Sequence, residues 1–187
     1  MVGQTLINLY LREVLMARSG TAALVRGPAA EKRLGAFIAK FSVPDQARIR
    51  AARRDLRRRL AGAFELVYDN YNFFVIGYSP TERPSDAILS LAAQANRLAL
   101  CFLQGARLPD PAHILKGSGR QVRSVRLESA RDLQRPEIAR LITLAVALGA
   151  APLPAGRTKL VIRSESAKQR PRRKPARRAV KLARGTA

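Results

Sequence analysis

Along the chain the apolar positions change period twice. Leu34, Phe37, Ile38 and Phe41 recur at spacings of three, four and seven, which predicts a helix beginning at Pro28. Ser42-Val43-Pro44-Asp45 ends it and opens a second helix, with serine as N-cap, proline in the first turn and an acid three positions on. Ile49, Ala52, Leu56, Leu60 and Ala63 then fall on one narrow seam of that helix. From residue 64 to residue 127 the period shortens to that of strands. Residues 64–68 and 72–78 read as a hairpin around Asp69-Asn70, 86–92 and 97–103 as a second pair joined through Gln94-Ala95-Asn96, and 121–127 as a last strand. Between the pairs, Pro80 and Pro84 remove donors and fix φ, so residues 79–84 predict a loop. Pro136 starts a final helix, with Ile138, Leu141, Ile142, Ala145 and Leu148 on one face, and Gly149, Pro152 and Pro154 stop it. The sum is an α+β fold: an antiparallel sheet of about five strands flanked by N-terminal helices and one C-terminal helix.

Three parts follow from this pattern. Residues 1–27 are weakly patterned and end in the breaker Gly27-Pro28, so they read as an irregular leader; Met16 would serve as a start, which makes the first fifteen residues an expected extension of the reading frame. Residues 28–150 carry the α+β domain. Residues 151–187 hold one short apolar patch, Leu160-Val161-Ile162, and then QRPRRKPARRAVKLARGTA, which has too little apolar surface to offset the entropy of ordering; a disordered basic tail is expected. With 47% hydrophobic residues in 187, the chain can bury one core of ordinary size. No stretch approaches the roughly 18 to 20 apolar residues that span a bilayer, so no membrane partner is expected. The single cysteine, Cys101, rules out an internal disulfide framework and suits a reducing compartment; the expected location is the cytoplasm.

Charge adds a partner class. Thirty-five basic against thirteen acidic residues give +22. After residue 156 stand twelve basic residues and one acid, Glu165, so the tail carries +11 and the rest another +11. Such a balance attracts polyanions, with affinity that falls as salt rises. Arginine outnumbers lysine 28 to 7 and alanine is abundant, a bias that coding composition alone also produces. The helix after Pro44 carries seven arginines against Asp45 and Asp55, which is either a solvated face or a docking face for nucleic acid. The candidate contacts are Arg54 and Arg58 on that helix and Arg170, Arg172, Arg173, Lys174, Arg177 and Arg178 in the tail.

Catalytic chemistry is hard to find. Lys116-Gly117-Ser118-Gly119-Arg120 has the glycines of an anion nest, yet it is neither GxxxxGK[ST] nor GxGxxG, and a strand rather than a helix follows it. It is read as a turn into that strand, or as an anion contact. Side chains alternate along a strand, so Arg120 and Arg126 share a face and Arg123 points away. His113 is the only histidine and has no partner in sequence, Cys101 sits in an apolar run, and no His, Cys, Asp or Glu residues stand at familiar ligand spacings. Asp110 between two prolines suits a turn cap. Tyr68, Tyr71, Phe73, Phe74 and Tyr78 read as hairpin core rather than as stacking platforms for bases. No catalytic residue, metal or cofactor is expected.

YDNYNFFVIGYSPTERPSDAILSLA, then LCFLQGARLPDPAHILKGSGRQVRSVRL and a helix after DLQRPEI, resemble the YdhG-like domain family over about residues 28–148. The resemblance implies a compact α+β domain with an antiparallel sheet flanked by helices, of unknown function. Some relatives are described as frataxin-like iron chaperones; that role leans on acidic surfaces, where this chain has arginines, and relatives often place histidine where Ser124 stands here. No active site comes with the family. The expectation is a non-enzymatic domain that binds a small anion or a protein near Asn70, Tyr71, Lys116, Gly117, Ser118, Gly119, Arg120 and Arg123. The alternatives are non-specific nucleic-acid association through the basic tail and iron chaperoning. Whether Arg123 meets the Asn70-Tyr71 turn across a shared cleft is left to the structure.

Overall fold

A computed structural model describes residues 24–173. Their order is β1 (Val25–Arg26), α1 (Gly27–Ala39), α2 (Val43–Arg59), β2 (Phe64–Asp69), β3 (Phe74–Ser79), β4 (Leu89–Gln94), β5 (Arg97–Phe102), β6 (Arg123–Leu127), α3 (Pro136–Ala147) and β7 (Lys159–Glu165), with short 3₁₀ turns at Pro84–Asp86, Gly105–Arg107 and Ala130–Gln134. The fold is α+β, as the change of period predicts. None of the described helices is long and apolar enough to cross a membrane.

The sheet has seven strands in the order β1-β7-β2-β3-β4-β5-β6, so the expected count of about five is corrected. All five expected strands are present, and two more extend the sheet beyond β2. Four antiparallel pairings run from β2 to β6, while β7 lies parallel to β2 and antiparallel to β1. The disordered-tail reading of 151–187 therefore fails at its centre. Leu160, Val161 and Ile162 are buried, and β7 inserts between β1 and β2. Composition averaged over the tail hides this strand, because Lys159 and Arg163 bracket three apolar residues whose partners stand far away in sequence. Residues 174–187 lie outside the described residues, as does most of the leader; of the latter, Val25 and Arg26 pair with Ile162 and Val161.

Local signals explain the helices. Ser42 caps α2, its hydroxyl oxygen 3.4 Å from the Asp45 amide and donating to the Asp45 carboxylate at 2.7 Å. Proline occupies the first turn of α1, α2 and α3. Leu34, Phe37 and Ile38 of α1, Ile49, Ala52 and Leu56 of α2, and Ile138, Leu141 and Ile142 of α3 share one core with Val67, Phe74, Ile76, Leu91, Leu98 and Leu100 of the sheet. All three helices thus cover the same sheet face. The opposite face has its own cluster, Leu66, Tyr68, Phe73, Val75, Ala92, Cys101, Val122 and Val161, with no residue from a described helix.

Candidate functional site

The arginines of α2 divide into two sets. Arg53 reaches inward, its guanidinium 2.7 Å from the fully buried Glu65 of β2 and 2.8 Å from Glu31 of α1, and Arg57 adds a contact to Glu31 at 3.0 Å. The Arg53 bond holds the Glu31 carboxyl below its ordinary range, against the opposing effect of partial burial. Tyr78, paired across the strands with Glu65, has its phenol pushed well above its usual value by burial, with the Glu65 charge acting the same way. Arg48 pairs with Asp45; Arg58 and Arg59 pair with Asp55. Burial raises the Asp45 carboxyl, but bonds from Ser42, Arg48 and the Asn96 amide outweigh it and leave it low. What remains outward is a row. Arg50, Arg54 and Arg58 are exposed at intervals of four residues, and Arg50 and Arg54 have no ion pair among the described residues.

At the β2–β3 turn the predicted site residues serve the fold. Asp69 is fully buried and meets Lys40 at 2.6 Å and Arg172 at 3.1 Å. Arg172, itself buried, donates to the carbonyls of Asn70 at 2.5 Å and Asn72 at 2.8 Å and lies over the Phe41 ring. Asn70 accepts from the Ser164 hydroxyl at 2.7 Å, and the amides of Ser166 and Arg170 donate to Asp69 and Tyr71 carbonyls. Only Tyr71 stays open, with Arg170 against its ring. Residues 164–172, expected to be disordered, are therefore the clasp around this turn. Arg172 is withdrawn from the candidate nucleic-acid contacts because it is spent on Asp69 and two carbonyls; Arg170 and Arg173 are exposed, and Lys174, Arg177 and Arg178 lie outside the described residues.

The glycine segment lies elsewhere. Lys116 forms an isolated antiparallel bridge with Ser124, closing a turn in which Gly117 has φ +123°, open to glycine and strained for other residues. Arg123 does not point into a pocket: its guanidinium donates to the carbonyls of Gly119 at 2.5 Å and Val122 at 2.9 Å and braces the turn from within. Lys116, Ser118 and Arg120 are exposed around it. β6 begins at Arg123, so Arg120 is outside the strand and the expected shared face with Arg126 does not arise. Arg126 pairs with Glu128 instead. The motif GARLPDP has structural reasons. A Cβ on Gly105 would lie 2.6 Å from the Arg123 Cβ, and Asp110 accepts from the amides of Ile114 and Leu115.

The two halves of the expected ligand site do not meet. Asp69 aligns across the sheet with Phe74, Ala93, Leu98 and Leu127, whereas Arg123 aligns with Phe102, Leu89 and Tyr78. Arg123 and the Asn70-Tyr71 turn therefore sit at opposite ends of the sheet and three strands apart, on the order of 20 Å by standard strand spacings. Hollows lie elsewhere: a groove of about 340 Å³ floored by Phe64, Leu160 and Val161 and rimmed by Arg26 and Lys159, and one of about 200 Å³ between Pro109, Pro111 and the start of α3. His113 is exposed, and the Cys101 thiol is pushed up to about 12 by burial, against a hydrogen bond with Ser90. Such a thiol carries almost no nucleophilic thiolate at neutral pH. Sequence reasoning missed Lys40, Glu65 and Asp69; two acids within the otherwise apolar strand β2 were the available signal. Comparison with family models, curated proteins and solved structures gave no match to this chain.

Proposed function

We propose that this chain is a YdhG-like domain without catalysis of its own, which associates with polyanions, nucleic acid first among them, through phosphate contacts indifferent to sequence. One observation carries the reading: Arg50, Arg54 and Arg58 form an exposed row on α2, spaced about 6 Å along the helix axis, while the acids are engaged elsewhere. Of the twelve acids in the described part, ten contact a lysine or arginine, and Asp110 and Asp132 cap backbone amides. The outward field is thus positive, and a row of cations on a rigid helix suits a phosphate backbone better than scattered ones. Arg58 touches Asp55 but keeps 72% of its side chain exposed.

Anisotropy titrations of labelled mixed-sequence DNA and RNA over a salt series test this. The R50Q/R54Q/R58Q chain should lose about tenfold in affinity at low salt and about two to three in the slope of log K against log salt. Equal affinity and slope in variant and parent would overturn the helix row. A second comparison removes 174–187 and keeps β7 intact, so a loss there assigns binding to the tail.

A small anion at the glycine turn is the second reading, favoured by the joint exposure of Lys116, Ser118 and Arg120 around Gly117. A thermal-shift series with phosphate, sulfate and nucleotides decides it; no stabilisation by any of them removes it. Iron chaperoning has less support, because ten of the twelve described acids are held by arginines and lysines and no three metal-ligating side chains gather among the described residues.

A further inference from the structure

The clasp at the β2–β3 turn leaves one ring in solvent. Tyr71 is 46% exposed, and no other phenylalanine or tyrosine among the described residues is exposed, so it departs from the hairpin-core reading. Its surroundings are fixed by backbone bonds. The Arg170 amide donates to the Tyr71 carbonyl at 2.9 Å, which sets the Arg170 guanidinium 5.7 Å from the ring centre. On either side, Arg172 holds the carbonyls of Asn70 and Asn72. A tyrosine–guanidinium pair is therefore assembled in advance, with nearly half of the Tyr71 surface in solvent.

Charge chooses the partner. Arg97, Lys168, Arg170 and Arg173 are exposed at this end of the sheet and form no ion pair among the described residues, whereas the acid of the turn, Asp69, is buried against Lys40 and Arg172. The β4–β5 turn that precedes Arg97 is tied in by Gln94, whose side-chain amide donates to the Asn72 carbonyl at 3.3 Å. A flat aromatic face among unpaired cations suits a nucleobase and its phosphates. Within a duplex the base faces are already stacked on one another, so only an unpaired base can offer one. We propose that Tyr71 and Arg170 form a stacking platform for an unpaired base, so that single strands gain affinity here that duplexes do not. The inference rests on the polyanion reading and adds strand state to it. α2 starts at this same end, where the Asn96 amide donates to Asp45 at 3.2 Å, and Arg50 lies two turns farther along.

Anisotropy titrations compare three labelled probes, a short oligothymidine, an abasic strand of equal length and a mixed-sequence duplex, on the full-length parent, Y71A and Y71F. Y71A should lose about tenfold on oligothymidine with its salt slope unchanged, and less than about twofold on the abasic strand and the duplex. Y71F keeps the ring and should hold the parent's affinity. Equal binding of oligothymidine by Y71A and parent overturns the platform, and so does an equal loss on the abasic strand, which has no base to stack. If R50Q/R54Q/R58Q weakens duplex binding while Y71A changes nothing, the platform alone fails. If the parent binds none of the three probes, the polyanion reading fails and the platform with it.

Discussion

Two turns that both meet basic side chains have opposite fates in this molecule. At the β2–β3 end, Asn70 is enclosed by a basic segment whose Arg172 is 4% exposed; at the other end, Lys116 and Arg120 around Gly117 stay open. The difference is a single buried acid. Asp69 sits at the first turn and draws Lys40 and Arg172 onto it, whereas no acid stands within the glycine turn and its one inward arginine, Arg123, settles on carbonyls. At the first turn a buried carboxylate draws a guanidinium fully inside; at the second, carbonyls alone hold the one inward arginine and leave Lys116 and Arg120 at the surface.

The largest test of this contrast is Arg172→Ala. It strips Asp69 and two carbonyls of a donor and should cost about 3 kcal/mol, a fall in Tm of about 6 to 12 °C by circular dichroism. R172K should recover little, because lysine lacks the planar fork that serves three acceptors at once. A loss below about 1 kcal/mol would show that the clasp does not depend on its buried charge pair. Arg53→Ala should come next, at about 2 kcal/mol, since Glu65 keeps Arg57 at 3.8 Å. Acid should act through Glu31 and Asp45, whose folded pKa values are depressed; their stabilisation is present above the ordinary carboxyl range and is lost as pH falls through the lowered values. Thermal melts should therefore stay level from neutral pH to about 5 and drop below about 4. At the open turn, Gly117→Ala should cost about 1 kcal/mol through its positive φ. Smallest of all, K116A/R120A should shift stability by no more than about 0.5 kcal/mol, measured by urea unfolding.

Much of the fold was legible because short-range pattern decides it. Three helices and five strands follow from periodicity and from proline and serine at helix starts, and the loop between β3 and β4 follows from Pro80 and Pro84. β7 was not legible, because its partners lie about a hundred residues away and its flanks are basic. The candidate site was legible only as a set of turns. Asn70 and Gly117 both read correctly as turn residues, but their placement at opposite ends of the sheet depends on the register of five strands, which no local signal records. Glu65 and Asp69, the acids that decide where arginines go, look in sequence like any polar residue in a strand.

The insertion of β7 between β1 and β2 sets an order on assembly. Val25 pairs with Ile162, so β1 has no neighbour until the chain has been made almost to its clasp. A nascent chain that has reached α3 presents β2 as an open sheet edge, with Leu66 and Val67 ready to pair with another molecule. Synthesis that stalls before residue 159 thus releases a sticky intermediate, and dependence on chaperones should be concentrated in that interval.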